Sequence, residues 1–192
     1  MAAARAAWRA EAAGIDPKRL IFIDESGFDT RLARTHARAP RGQRAHGTAP
    51  GGRWRRLTLI GAPGLDGIRA AMTVAAATGT AVFLALVTQV LIPVLSRERP
   101  DAIVVMDNLA AHKAEKVREA LDRAGLAHRY LPSYSPDMNP IEPAWSKLRT
   151  HLRAVGARSK EALEAALVPA LATISAEDAR GWFRLCGYAS AI

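Results

Sequence analysis

Asp24, Asp107 and Glu142 are the residues of this 192-residue chain whose types and surroundings point to chemistry. Asp24 closes RLIFID (Arg19 to Asp24), an Ile-rich apolar run that reads as a buried strand. Asp107 lies at the end of a second such run, DAIVVMDN (Asp101 to Asn108). Glu142 opens a helix that begins near Asn139, after a stiff approach containing Pro132, Pro136 and Pro140, with Pro143 following it. Ligands of α/β sheets gather at the carboxyl ends of strands. A helix packed across two neighbouring strands would therefore bring the three carboxylates together. Such groups repel, and without a cation at least one holds its proton to an elevated pKa. An all-oxygen set suits Mg²⁺ or Mn²⁺ rather than Zn²⁺. Two such ions can activate a nucleophile and steady the leaving oxygen in phosphoryl transfer.

Each carboxylate also has a purely structural reading. Asp24 would end a strand or start a turn before Gly27, with Glu25 as the metal ligand instead. Asp107 with Asn108 fits a helix cap or turn. Asn139 as N-cap, Pro140 at the first helical position and Glu142 at the third make an Asx version of the capping box. The prolines serve both readings, since they fix φ and hold the helix start still. On that helix Ile141, Trp145, Leu148 and Leu152 share the face expected to be core. Glu142, Ser146, Arg149 and Arg153 form the adjacent stripe, which makes the two arginines candidates for phosphate contact as well as ordinary surface charge.

The elements that must position these residues follow from the pattern. RLTLIGA and GIRAAMTVAA read as two strands joined by a PGLDG turn (Pro63 to Gly67). The run from Ala81 to Leu95 reads as a buried helix, too short to cross a bilayer and interrupted by Gln89 and Pro93. Lys113 to Gly125 reads as an amphipathic helix with Val117, Ala120, Leu121 and Ala124 on its apolar face. LAHRYL is a short strand, and two helices opened by Ser159 and Ser175 follow. The first residues form a short helix stopped at Gly14, with no long apolar core of a secretory signal. Strands come first, then alternate with helices, then give way to helices alone. That is an α/β layer with a helical C-terminal extension.

The formal charge is +9, and eight arginines fall between Arg31 and Arg56 with no Asp or Glu among them. This Gly- and Pro-punctuated stretch is either a solvated basic loop or a phosphate-tracking surface. Its DNA-facing candidates are Arg38, Arg41, Arg44, Arg53, Arg55 and Arg56, with Trp54 able to stack on a base. The single cysteine, Cys186, closes no intrachain disulfide and builds no zinc site, so a reducing compartment is expected. A doubly wound phosphotransferase is disfavoured: DESGFD has no second aspartate two residues after Asp24, and no Gly-rich phosphate loop precedes a helix.

FIDESGF, RAPRGQR, VVMDNLAAHK, LPSYSPDMNPIEPAWSKLR and the late Gly187–Tyr188 pair together resemble the catalytic half of DDE transposases, in the branch of bacterial insertion-sequence relatives of mariner-type elements. The 34 residues between Asp107 and Glu142 match the spacing of that branch. The resemblance covers roughly Leu20 to Tyr188. It implies a ribonuclease-H-like mixed sheet flanked by helices, spanning 19–155, with a helical segment or linker over 1–18 and a C-terminal helical extension over 156–192. It implies that Asp24, Asp107 and Glu142 bind two Mg²⁺ or Mn²⁺ ions. The implied chemistry is hydrolysis at transposon ends, then attack of the freed 3′-hydroxyl on target DNA, typically at TA. Asn108, His112 and Asn139 are implied supports of the triad, His112 positioning either DNA or the second aspartate, and Tyr134 and Asn139 supporting the Glu142 helix. The implied partners are transposon-end and target DNA, a second copy in a homodimer, and a separately encoded helix-turn-helix half, since about twenty residues before the first strand cannot hold one. The implied setting is the bacterial cytoplasm, at the nucleoid. A catalytically inactive DNA-binding remnant or regulator of transposition is the alternative.

Overall fold

The computed structural model describes residues 1–48, 50–75 and 78–188. Five strands form one mixed sheet in the order β3-β2-β1-β4-β5. β1 (Leu20–Asp29), β2 (Arg56–Gly64) and β3 (Gly67–Val74) make an antiparallel meander. β4 (Ile103–Met106) and β5 (Ala127–Tyr130) run parallel to β1. Helices cover both faces, which gives the mixed, helix-flanked sheet and the C-terminal helices expected.

β1 departs from the expected boundary. It runs through Gly27 to Asp29, so Asp24 lies within the strand and not at its end. The cause is a change of neighbour. Leu20–Ile23 pair with Ile103–Met106 of β4, and from Asp24 onward the strand pairs with β2, Asp24 standing opposite Gly61. Asp24 therefore still marks the carboxyl end of the parallel ladder. At Gly27 the Arg56 guanidinium lies where a Cβ would be, so a larger residue there would displace this exposed side chain.

One face of the sheet buries Ile21, Ile23, Val104 and Met106 against a helical stretch from Thr80 to Glu98 and against α4 (Glu115–Arg123). The first of these is α2 (Thr80–Leu86), a π-turn (Val87–Leu91) and α3 (Ile92–Glu98) in succession. Pro93 has no N–H for the regular ladder, and the preceding π-turn accommodates it. At 19 residues the stretch is long and apolar enough to cross a membrane by length and composition, which corrects the expectation that it is too short. Phe83, Leu86, Val87, Leu91 and Leu95 pack on the sheet, while Thr88, Gln89 and Ser96 are exposed.

The opposite face carries two clusters. Phe28, Leu57 and Leu59 pack under α5 (Ile141–Val155) and α6 (Lys160–Ala172). Leu20, Phe22, Ile103 and Val105 pack under α1 (Ala2–Ala13), through Trp8, and α7 (Ala176–Leu185), through Phe183. Gly14 follows α1 as expected. α7 opens with a capping box between Ser175 and Asp178, and Lys147 of α5 donates to the same carboxylate at 2.5 Å. The Lys147 contact, with the Ser175 amide, pulls the Asp178 pKa down to about 2. A depressed carboxylate stabilises the fold above its unfolded pKa, and that contribution fades as pH falls from about 4 to about 2. Asp178→Asn is accordingly expected to melt below the wild-type chain at pH 7, with the gap closing as pH approaches 2, measured by circular dichroism.

Candidate active site

Asp24, Asp107 and Glu142 line one cavity of about 440 Å³, together with Asn108, Asn139 and the segment Leu131–Pro136. Asp24 comes from β1, Asp107 from the residue after β4, and Glu142 from the first turn of α5. Alternation along β1 puts Asp24 on the side of Phe22, towards α5, and Glu25 on the side of Ile21 and Ile23. Glu25 is not among the residues lining the cavity.

The approach to Glu142 is tied down at several points. Asn108 Nδ2 donates to the Leu131 carbonyl, and Leu131 N donates to Met106 O at 2.8 Å. Asn139, 4% exposed, donates from Nδ2 to Asp24 Oδ2 at 3.2 Å and accepts from Ile141 N at 3.4 Å. It thus joins the start of α5 to Asp24. The expected capping box is not formed. Pro140 occupies the N-cap with a helical ψ, so Glu142 is the second helical residue, and its N–H bonds the Asn139 backbone oxygen at 3.1 Å. The Glu142 side chain is left exposed at the cavity wall. Tyr134, expected to support this helix, is instead 84% exposed with φ 55°. The late Gly187–Tyr188 pair acts here: Tyr188 Oη donates to the Met138 carbonyl at 2.7 Å and accepts from Trp8 Nε1 at 2.8 Å. Arg5 of α1 adds bonds to Ser135 and Asp137.

The electrostatics are those of a crowded acidic site. Burial pushes the Asp24 carboxyl up to about 7, and the charges of Asp107 and Glu25 add to it against an opposing bond from the Glu25 N–H. His112 is fully buried, with Nδ1 2.6 Å from Asp107 Oδ1 and Nε2 2.9 Å from Glu25 Oε2. Burial alone would lower its pKa, but the two carboxylates outweigh that and raise it to about 9. Asp107 is held below the usual carboxylate range by His112 and by the Leu109 N–H, in spite of its own burial. At 0% exposure His112 faces Asp107, not DNA.

The basic candidates divide. Arg38, Arg41 and Arg44 are exposed on the irregular segment between β1 and β2. Arg53, Arg55 and Arg56 line a second cavity of about 770 Å³ with Trp54, Arg158 and Lys160, apart from the carboxylates. Arg149 donates to Ser26 Oγ at 2.5 Å and lies over the Phe28 ring, so it is engaged within the fold, and Arg153 is half-buried one turn on. Arg158, whose guanidinium bonds the Thr30 and Leu32 carbonyls, escaped the sequence reading because it lies far along the chain from the arginine-rich stretch.

The family model for the DDE superfamily endonuclease matches residues 19–164. The chain belongs to the DDE superfamily endonucleases. Among solved structures, this DDE chain is similar to the Mos1 transposase paired-end complex with left transposon end, at TM-score 0.76 and 20% identity over 96% of this chain and 57% of that one. It is also similar to the catalytic domain of Mos1 mariner transposase, at TM-score 0.70 and 17% identity over 96% of this chain and 85% of that one. A Mos1 catalytic domain with raltegravir and Mg matches at TM-score 0.70 and 17% identity, covering 96% and 86%. The DDE chain spans 57% of the length of the Mos1 chain in the paired-end complex. Comparison with curated proteins returns no match. The likeness establishes the ribonuclease-H-like fold of the transposase catalytic domain.

Proposed function

We propose that this chain is a transposase catalytic domain that cleaves DNA strands and joins the freed 3′-hydroxyl to target DNA, with Asp24, Asp107 and Glu142 as the metal-binding triad. The observation that carries the reading is that three carboxylates from distant parts of the sequence line one cavity. All three offer oxygen, and burial first, then the charges of Asp107 and Glu25, raise the Asp24 pKa, an environment that a bound cation would relieve. Among the described residues no group of three or more His, Cys, Asp and Glu side chains is gathered tightly enough to hold one ion. The all-oxygen donor set is what suits Mg²⁺ or Mn²⁺, which keep several waters and take one or two carboxylates beside substrate phosphates. When bound, two such ions supply positive charge for the oxygens that attack and leave the phosphodiester.

The residues of the chain do the positioning. Asp24 has one oxygen on the Glu25 N–H and the other on Asn139, which fixes its carboxylate plane. Asp107 has Oδ1 committed to Leu109 N and His112. Glu142, exposed at the start of α5, is the donor free to swing onto the substrate side. Arg38, Arg41 and Arg44 would track the DNA backbone, with Arg53, Arg55, Arg56 and Arg153 extending the basic surface while Arg149 stays engaged with Ser26 and Phe28, and binding would weaken steeply with salt. A homodimer on paired transposon ends, a helix-turn-helix half that recognises those ends, and work at the bacterial nucleoid belong to the same reading.

Nicking of supercoiled plasmid in Mn²⁺ tests it. Wild type is expected to nick, and Glu142→Ala and chelated wild type are not. Equal nicking by wild type and Glu142→Ala overturns the triad. Salt-sensitive DNA binding without nicking by any form would support an inactive DNA-binding protein.

A further inference from the structure

We propose that Glu25 is a positioning residue for Asp107, acting through the buried ring of His112. The proposal rests on the reading of Asp107 as a metal ligand. Asp24 and Glu25 are neighbours in sequence, yet β1 sends them to opposite faces of the sheet. Asp24 enters the cavity directly. Glu25 reaches the same site from behind, by way of a residue 87 positions away.

The geometry of His112 is unusual for a residue that merely fills the core. A neutral imidazole presents one donor and one acceptor. Here both ring nitrogens face carboxylate oxygens, Asp107 Oδ1 at 2.6 Å and Glu25 Oε2 at 2.9 Å, so the ring is pinned at both ends. The ring is fixed from the side by Phe83, with centroids 4.0 Å apart and planes 35° from parallel. Its backbone carbonyl is held by Tyr130 Oη at 3.2 Å. Glu25 thus sets the in-plane orientation of the ring, and the ring sets Asp107.

The consequence falls on Asp107. Oδ1 accepts from His112 Nδ1 and from Leu109 N at 2.9 Å, and among the described residues no hydrogen bond engages Oδ2. One oxygen is locked and the other is kept available. Without Glu25, the Nε2 donor faces a buried space lacking its acceptor, which is costly, and the ring is free to turn away from Asp107. Groups hydrogen-bonded directly to a metal ligand affect metal affinity by about 10–100-fold, and Glu25, one hydrogen bond further out, should act more weakly than His112 itself.

The test uses the full chain with Glu25→Ala, Glu25→Gln and Asp107→Ala. Mn²⁺ binding is followed by electron paramagnetic resonance, and the His112 side chain by long-range ¹H–¹⁵N spectra of metal-free protein. Glu25→Ala is expected to bind Mn²⁺ more weakly by up to about 10-fold, the low end for direct partners of a metal ligand, and to lose the slowly exchanging His112 Nε2–H signal. Glu25→Gln, whose amide oxygen still accepts from Nε2, is expected to recover both in part. A Glu25→Ala chain that binds Mn²⁺ as wild type does, with or without a lower melting temperature, overturns the proposal. So does a wild-type spectrum without a protected Nε2–H. Should Asp107→Ala bind Mn²⁺ as wild type does, the metal reading of Asp107 fails. The spectrum then decides alone, an unchanged His112 signal in Glu25→Ala overturning the proposal and a lost one supporting Glu25 as the residue that orders the ring.

Discussion

Asp24→Asn is expected to reduce Mn²⁺-dependent nicking by more than about 100-fold, beyond what loss of an indirect partner costs a metal site, and at the same time to raise the melting temperature of the metal-free chain at pH 8. The two effects share one cause. The Asp24 carboxyl is half-buried and its pKa is raised from 3.8 to about 7. A group that binds its proton more tightly when folded stabilises the fold fully at pH values below its unfolded pKa. That contribution is lost as pH rises through the folded pKa. At pH 8 the metal-free chain therefore carries a buried charge that the nearby His112 only partly offsets. At about 1.4 kcal/mol per pKa unit the shift bounds the gain from neutralising it at roughly 4 kcal/mol. Asparagine keeps the shape, and its oxygen still accepts the 2.7 Å bond from Glu25 N. Facing the Asn139 amide group offsets part of this gain, because Asn139 can present its oxygen only by giving up the 3.4 Å bond from the buried Ile141 N. At pH 4 the stabilising effect should nearly vanish. Thermal melts at pH 4 and 8, with and without Mn²⁺, check all of this. A lower melting temperature for Asp24→Asn at pH 8 would refute the account of the buried charge, and undiminished nicking would remove Asp24 from the metal site.

The second large effect is structural. Trp145→Ala is expected to cost about 3–5 kcal/mol, as for other fully buried aromatics. In a chain of this size that lowers the melting temperature by about 6–20 °C. Trp145 is 1% exposed, lies edge-on to Phe28 at 6.1 Å between centroids, and sits so close over β2 that a Cβ at Gly61 would meet its Cη2 at 2.7 Å. Gly61 is the ladder partner of Asp24. The indole thus sets the height of α5 above the strand pair that carries the first aspartate, and Glu142 lies one turn before it on the same helix. Trp145→Phe should lose much less, because Trp145 Nε1 is buried with no hydrogen-bond partner and its removal strands no other group. Melting temperatures and nicking rates of the two variants, compared side by side, test the account. A Trp145→Ala chain as stable as Trp145→Phe would contradict it.

Much of this was legible in the sequence because the relevant signals are local. Apolar runs marked four strands and the short LAHRYL stretch the fifth, and the Ile141, Trp145, Leu148, Leu152 face marked the core side of α5. What failed depends on neighbours that a linear reading does not contain. The end of β1 is set by its exchange of β4 for β2, so an internal carboxylate was taken for a terminal one. The start of α5 is set by Pro140 at the N-cap, and the Asx capping box that the residue types allow does not form. Glu25 was weighed only as a rival ligand to Asp24, because its partner His112 becomes its neighbour only across the sheet. A strict period-2 reading of RLIFIDE would have placed Glu25 opposite Asp24 and ruled out that rivalry.

The change of partner along β1 also bears on when this chain can become dangerous. Asp24 sits on the seam between an antiparallel hairpin half, assembled from near neighbours, and a parallel half that needs β4 and β5 from much later in the chain. Glu142 is synthesised after both. A ribosome-bound fragment can close the hairpins early, but the cavity cannot exist until the late strands dock and α5 emerges. An ion that binds only the finished arrangement then stabilises it by mass action. On the proposed reading, a cutting activity of this kind stays latent throughout translation and switches on only in a chain whose sheet is complete.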